Sequence, residues 1–373
     1  MSNARKLADN LPTEGSLSGR NIIINGKFEI DQRHGFAAHT VSSGGDFFAD
    51  RWGFYTDSNA FAQYGATTQV VSDGPTGFEK SLKWTTTSAG TVPATSEVIF
   101  RHVVEGYNIN QVDYGTSNAK ELTLSFYVKS SVAGNYGLTA QYTDSGGTNR
   151  YNLRSYTINS ANTWELKTIL IPANTANVLQ QKTNGAGLRL NWDLGEGTSY
   201  SGSVTGNWQT TYVNGLTGGV KIANNNGATW QITGVQLEVG SQSTPFEHEP
   251  VGVTLRKCQR YTHIIGDTQY QAIGIGTMYT ATNGIFYVHT PVPMRSTPSI
   301  SKTVDGNNVW LQSYVGASGL NTNVTPQLGE NSTNGRQNNF RIYVPSSNNS
   351  TTAGYSSWNQ VMPNASFIFS AEL

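Results

Sequence analysis

Two carboxylates three residues apart, Asp193 and Glu196, follow directly on Trp192 and form the best local arrangement for acid–base chemistry in the chain. Paired carboxylates flanking a sugar bond are what glycoside hydrolysis requires. The other acids, among them Asp46, Asp50, Glu105 and Asp113, are scattered. The same pair opens a Gly- and Ser-rich stretch that ends at Tyr212 and carries Tyr200, Asn207, Trp208 and Gln209. Aromatic faces against sugar C–H surfaces, with amides and carboxyls nearby, recognise a glycan without cutting it. Recognition suits the stretch better than hydrolysis, because a polar turn at a strand end accounts for Asp193 and Glu196 with no catalytic role. Trp192 and Trp208 also read as strand-core residues, which leaves Tyr200 as the aromatic expected to be exposed. The late loops Asn321–Asn339 and Ser346–Ser357, with Tyr355 and Trp358, offer a rival recognition surface.

Other chemistries find less support. The six histidines, His34, His39, His102, His248, His263 and His289, show no metal-ligand spacing. Cys258 is the single cysteine, so an internal disulfide is impossible. A nucleophilic thiol needs a base and an electropositive, exposed setting, and His263 lies five residues on, on a different face of the expected helix. No phosphate-binding glycine motif or hydrolase elbow occurs.

Composition limits the partners. Lys plus Arg equals Asp plus Glu at 24 each, so no net field draws in nucleic acid or anionic lipid. No apolar run approaches the roughly 20 residues needed to span a bilayer, and no apolar segment follows the charges of Met1–Lys6, so no membrane insertion and no secretory signal are expected. The 40 glycines, with abundant Asn, Thr and Ser, belong to many short strands joined by tight turns.

A chain of 373 residues suggests two domains. Residues 1–18 are polar and small, with a short helix expected at Ala4–Asn10; they read as an arm, either disordered or a docking peptide for a neighbouring subunit. Strand patterns then repeat from Asn21 to Val239, most clearly in Glu121–Lys129, where Leu122, Leu124, Phe126 and Val128 alternate with mostly polar residues. Similar runs are Ser81–Thr86, Tyr136–Thr143, Tyr151–Ile158, Trp164–Ile171, Leu188–Leu194 and Thr229–Val239. This spacing predicts an all-β sandwich or jelly roll over 19–246. A linker and short helix follow over 247–265, the helix at Val253–His263 with Val253, Leu255, Cys258 and Tyr261 as its apolar stripe. A smaller β-sandwich domain is expected over 266–373, from runs such as Gly284–His289 and Phe340–Val344.

Two sets of motifs carry a resemblance. Asn21-Ile-Ile-Ile-Asn-Gly-Lys-Phe-Glu29, then Ala49-Asp50-Arg51-Trp52 and Ile232–Val239, resemble the first and last strands of carbohydrate-binding-module jelly rolls. That resemblance implies first and last strands side by side and a structural calcium near Glu29; a solvated or salt-bridged strand end is the alternative, and one sequence supplies too few of the six to eight oxygens calcium takes. Gln236-Leu-Glu-Val-Gly240, Thr244-Pro-Phe-Glu247, Leu255-Arg-Lys-Cys-Gln-Arg-Tyr261, Pro291–Pro298 and Ser370-Ala-Glu-Leu373 are similar to a module of bacteriophage tail-fibre and other virion surface proteins. One departure is Thr262, where the family doubles the aromatic after Tyr261.

The second resemblance implies a non-enzymatic virion component, made in the host cytoplasm and exposed on tail or capsid, often a homotrimer, contacting other virion proteins and a host surface glycan. A capsid decoration or head-fibre protein is the alternative, and a polysaccharide depolymerase a weaker one. No cofactor is expected beyond the calcium. The landmark residues have scaffold roles to play: Phe246 anchoring the linker on the first sandwich, Cys258 and Tyr261 pinning the helix to a core, and Arg260 bridging the two domains through carbonyls.

Overall fold

A computed structural model describes residues 19–176, 179–266, 272–278, 283–303, 311–315, 318–322, 327–328, 339–345, 356–361 and 366–373. The chain divides into two compact units, the first running through Val251 and the second from Gly252 to Glu372. The arm at 1–18 and its expected helix lie outside the described residues.

The first unit is a jelly-roll sandwich. In chain order its strands are β1 (His39–Thr40), β2 (Gly44–Ala49), β3 (Trp52–Thr56), β4 (Gly65–Val71), β5 (Ser81–Ser88), β6 (Val98–Glu105) and β7 (Leu122–Ser130). Then come β8 (Gly134–Thr143), β9 (Asn149–Ile158), β10 (Glu165–Ile171), β11 (Ala186–Asp193), the two-residue β12 (Ser201–Gly202) and β13 (Gly215–Leu216), and β14 (Thr229–Val239). Sheet A orders them β1-β4-β5-β14-β7-β10 and sheet B β2-β3-β6-β11-β8-β9.

Period-two alternation sends one side chain in two of each strand between the sheets. Leu122, Leu124, Phe126 and Val128 of β7 are all fully buried there, as are Leu188, Leu190 and Trp192 of β11. Aromatic rings close the gap: Phe54 meets Trp84 at 4.8 Å, Phe100 meets Trp230 at 5.4 Å, and Phe126 meets Trp192 at 5.7 Å. Each buried side chain of this size contributes about 1.5–3 kcal/mol, so a neutral chain without disulfides is held by packing.

The N-terminal motif lies beside the last strand, as the resemblance implies, but not as a regular ladder. Ile22 N–H donates to the Leu237 carbonyl at 2.9 Å, and Val235 N–H donates to the Gly26 carbonyl at 3.0 Å. A Cβ on residue 26 would sit 2.2 Å from the Val235 carbonyl oxygen, so only glycine fits. The Gln236–Glu247 motif at the end of β14 works as a buckle. Gln236 Oε1 accepts from Glu247 N–H at 2.7 Å, the Glu238 carboxylate accepts from Thr244, and Glu247 Oε2 accepts from Asn21 N–H at 2.9 Å. Phe246 lies on the first unit with its ring 5.0 Å from that of Phe78.

The second unit pairs a three-stranded sheet with a seven-stranded one. The first comprises β15 (Thr262–Ile265), β18 (Ser299–Thr303) and β24 (Ser366–Ser370), in the order β15-β24-β18. The second orders β20 (Ser318–Thr322), β19 (Leu311–Val315), β23 (Ser356–Val361), β16 (Ala272–Met278), β17 (Asn283–His289), β22 (Asn339–Pro345) and β21 (Gln327–Leu328). Val288, Phe340 and Ile342 pack with Met294, Phe367 and Phe369 between them.

The helix departs from its expected position. It spans Val251–Gln259, and the β-branched run after Tyr261 joins the sheet as β15 instead of extending the helix. Its buried residues are Thr254 and Cys258, one turn apart, whereas Val253 is 44% exposed. Tyr261 is fully buried, and Arg260 Nη1 donates to the Pro293 carbonyl at 3.3 Å.

Candidate functional site

The outer face of sheet B is where polar side chains gather. Because Leu188, Leu190 and Trp192 point into the core, Arg189, Asn191 and Asp193 point away from it. On β6, Phe100 and Val104 enter the same core, which turns Arg101 outward, and Tyr55 of β3 faces the same way with its ring 5.2 Å from the Arg101 guanidinium.

After β11 the chain makes an excursion, residues 194–221, that folds back over part of this face. Val220 N–H donates to the Asn135 carbonyl at 2.7 Å, residues Tyr151 and Gln209 exchange two backbone bonds, and Tyr151, Leu153 and Val213 form a small apolar cluster beneath. A Cβ on residue 215 would lie 2.4 Å from the Glu196 Cβ, so glycine is required for the excursion to close over that acid.

Where the excursion ends and the open sheet begins, a polar network runs from strand to strand. Arg101 Nε donates to Asn191 Oδ1 at 2.8 Å, and Asn191 Nδ2 donates to Asn214 Oδ1 at 3.0 Å. Asn214 Nδ2 donates to the Tyr212 hydroxyl at 2.7 Å, and that hydroxyl donates to the Glu97 carboxylate. Asn191 and Asn214 are buried, while Glu97, Arg101 and Tyr212 are half-buried and Tyr55 is 37% exposed. Burial raises the Glu97 carboxyl, with the Tyr212 hydrogen bond opposing it, and raises the Tyr212 phenol, which the Glu97 bond pushes further. The Tyr200 ring stands edge-on to Tyr212 at 4.7 Å, and Tyr151 does the same at 5.3 Å. The result is a set of ring faces and hydrogen-bonding groups, half in water, on a rigid sheet.

Of the residues expected here, Tyr200 is half-buried at the edge of this network. Trp192 is instead a core residue with no exposed surface, packed among Trp52, Phe100 and Phe126. Trp208 packs on Tyr114 and Tyr142 at 5.3 and 5.1 Å, its indole N–H donating to the Pro172 carbonyl at 2.9 Å.

Asp193 is fully buried, paired with Lys221 Nζ at 2.6 Å and accepting from Glu196 and Leu216 N–H. Burial nonetheless raises its carboxyl, outweighing Lys221. Glu196 is 2% exposed and neither of its carboxyl oxygens has a hydrogen-bond partner among the described residues. Burial holds Glu196 well above the ordinary carboxylate range, with the charges of Glu97 and Asp193 adding to the effect. Neither acid presents an oxygen to an incoming sugar, so this pair is not placed for hydrolysis.

Glu29 is paired with Lys27 at 2.9 Å, and among the described residues no group of three or more His, Cys, Asp or Glu side chains is arranged to hold a metal ion. Trp358 falls in β23 opposite Ile275 and Tyr314, while Tyr355 lies outside the described residues, as do most of the two loops of that rival surface.

Sequence reading missed Tyr55, Glu97, Arg101, Arg189, Asn191 and Asn214. A signal for three of them was present. The alternation Leu188-Arg-Leu-Asn-Trp-Asp193 puts a continuous polar row on one side of a strand whose other side is core, and Arg101 interrupts the apolar run of β6.

No protein-family profile matches the chain, and no curated relative matches it. Among solved structures it is similar to the enzymatically active domain of tailspike protein 4 of bacteriophage CBA120, at 13% identity and TM-score 0.31, over 59% of this chain and 21% of that one. The chain thus spans about a fifth of that tailspike structure. It is also similar to the CBM22-1 xylan-binding domain of Paenibacillus barcinonensis, at 9% identity and TM-score 0.31, covering 61% of this chain and 100% of that one. A family 11 carbohydrate-binding module of Clostridium thermocellum, bound to a mixed-linked tetrasaccharide, aligns at 12% identity and TM-score 0.28, over 55% and 100% of the two chains.

Proposed function

We propose that this chain is a bacteriophage virion surface protein, binding and not catalytic, whose first unit engages a glycan of the host envelope on the outer face of sheet B. The observation that carries the binding reading is the network Arg101–Asn191–Asn214–Tyr212–Glu97, half open to water and bordered by Tyr55 and Tyr200. A sugar ring needs a flat apolar contact and several fixed donors and acceptors around it, and this face supplies both on strands held by the core. The virion reading rests on the motif set from Gln236 to Leu373, whose first part forms the buckle at the end of β14.

The full chain is expected to be retained on an array of bacterial envelope polysaccharides, and Tyr212→Ala is expected to lose about tenfold in affinity while remaining folded. A folded protein retained on none of them would overturn the binding reading. Antibody labelling of intact particles tests the virion reading, with density expected on tail or capsid exterior, and sedimentation of the purified chain tests the homotrimer.

A further inference from the structure

We propose that the glycan taken by this face is anionic, its carboxylates held by Arg101 and Arg189; the inference rests on the binding reading above and names the ligand class. The two arginines stand on neighbouring strands. Arg101 of β6 is in register with Asn191 of β11, and Arg189 lies one same-face step along β11. Such a diagonal places their Cβ atoms roughly 7 Å apart on one face, so two guanidiniums can serve one chain of sugar units.

Neither arginine forms an ion pair among the described residues. Arg101 commits only its Nε, to Asn191, and Arg189 makes no side-chain hydrogen bond among the described residues. Both remain half-buried, Arg101 with its guanidinium 5.2 Å from the Tyr55 ring and Arg189 opposite Gln141 of β8. Burial lowers both guanidiniums from their usual range, and for Arg189 the charge of Arg101 lowers it further. Glu97 acts on Arg101 at a distance and offsets part of its charge, but no local acid forms an ion pair with either arginine among the described residues. Asp193 is taken by Lys221, the Glu97 carboxylate accepts the Tyr212 hydroxyl, and Glu196 is sealed under Gly215 with burial favouring its neutral form.

Chain-wide charge is balanced at 24 against 24, so two unpaired guanidiniums on one face are a local feature and not overspill from a basic protein. A planar guanidinium matches a carboxylate through two parallel N–H donors. Two partly desolvated guanidiniums, one of them over the Tyr55 ring, therefore fit a polysaccharide that carries a uronic or sialic acid carboxylate on its repeating unit.

The test is affinity electrophoresis of the full chain through gels containing polygalacturonate, alginate, hyaluronate or polysialic acid, each paired with its carboxyl-reduced counterpart. At least one acidic polymer is expected to retard the protein, with affinity falling about tenfold on carboxyl reduction and falling as salt is raised. Arg189→Gln, which removes no side-chain hydrogen bond among the described residues, should erase that difference without shifting the melting temperature. Equal retention by an acidic polymer and its reduced form overturns the inference and leaves glycan binding standing. Retention by neutral polysaccharides alone does the same. Retention by dextran sulfate with none by the carboxylate polymers overturns the carboxylate assignment, and retention by nothing overturns both readings.

Discussion

Strand β11 serves two different environments, and the contrast between its faces explains the molecule. Inward, Leu188, Leu190 and Trp192 join a cluster of rings with no exposed surface, where any side chain of the right size and polarity contributes. Outward, Asn191 and Asp193 meet a second layer, the excursion over 194–221, next to the half-buried Arg189, and each polar atom there needs a specific partner or a route to water. Packing is a matter of volume, whereas the outer face depends on matched donors and acceptors. The inner face therefore makes the fold, and the outer face is free to specify a ligand.

That contrast predicts the largest effect at Trp192. Trp192→Ala removes a ring packed against Trp52, Phe100 and Phe126, and should cost about 3–5 kcal/mol of stability in denaturant unfolding. Its outward neighbour should behave differently. Asn191→Ala strips Arg101 Nε and Asn214 Oδ1 of their partner, costing about 1–3 kcal/mol, and it should abolish glycan retention even at temperatures where the protein stays folded. Equal losses of stability with binding intact would break the distinction between the two faces.

Glu196 sharpens the same comparison through pH. Its folded-state pKa is raised well above the usual glutamate value by burial, so the folded protein holds that proton more tightly than the unfolded chain. Stability from this group is fully present below the unfolded value and is lost as pH rises toward the folded one, at up to about 1.4 kcal/mol per pH unit. Glu196→Gln should match the parent in acid and exceed it at neutral pH by about 1–3 kcal/mol. Asp193 and Glu97 are raised too, so melting temperatures are compared between parent and variant across pH, where their shared contribution cancels. A variant less stable than its parent at neutral pH would mean that the Glu196 carboxylate has a partner on the excursion.

Much of the inner face was legible in the sequence, because alternation of apolar residues is a direct consequence of strand geometry. The run at Thr229–Val239 coincides with β14, and Leu122, Leu124, Phe126 and Val128 are buried as their spacing requires. The strands β2, β3 and β6 were harder to see, since Gly44–Ala49 and Trp52–Thr56 mix glycine and aromatics and Val98–Glu105 is largely buried on both faces, so its polar residues do not alternate. The candidate site was legible only in outline. The stretch from Trp192 to Tyr212 does border the polar network, but Trp192 and Asp193 occupy opposite faces of one strand, and Trp208 is spent on Tyr114 and Tyr142. Tyr55 and Glu97 come from segments more than 90 residues earlier, and only the sheet register brings them to Asn191 and Tyr212.

The smallest stability effect belongs to Tyr55, and there the two faces differ most in kind. Phe54, the residue before it, is 2% exposed and packs on Trp84, while the Tyr55 ring is 37% exposed and touches the Arg101 guanidinium. A cation over a partly exposed ring is worth about 0.5–1 kcal/mol, and surface substitutions are mostly within 0.5 kcal/mol, so Tyr55→Ala should leave unfolding almost unchanged. If the ring is the platform on which a sugar lies, the same substitution should weaken glycan retention about tenfold, roughly 1.4 kcal/mol. Tyr55→Phe keeps the ring and removes only the hydroxyl, so it should retain most of the affinity. Calorimetric titration of both variants with a retained polysaccharide separates the cases. Loss of affinity in Tyr55→Phe equal to that in Tyr55→Ala would assign the contact to the hydroxyl instead of the ring, and unchanged affinity in both would move the ligand off β3 toward Tyr200 and Tyr212.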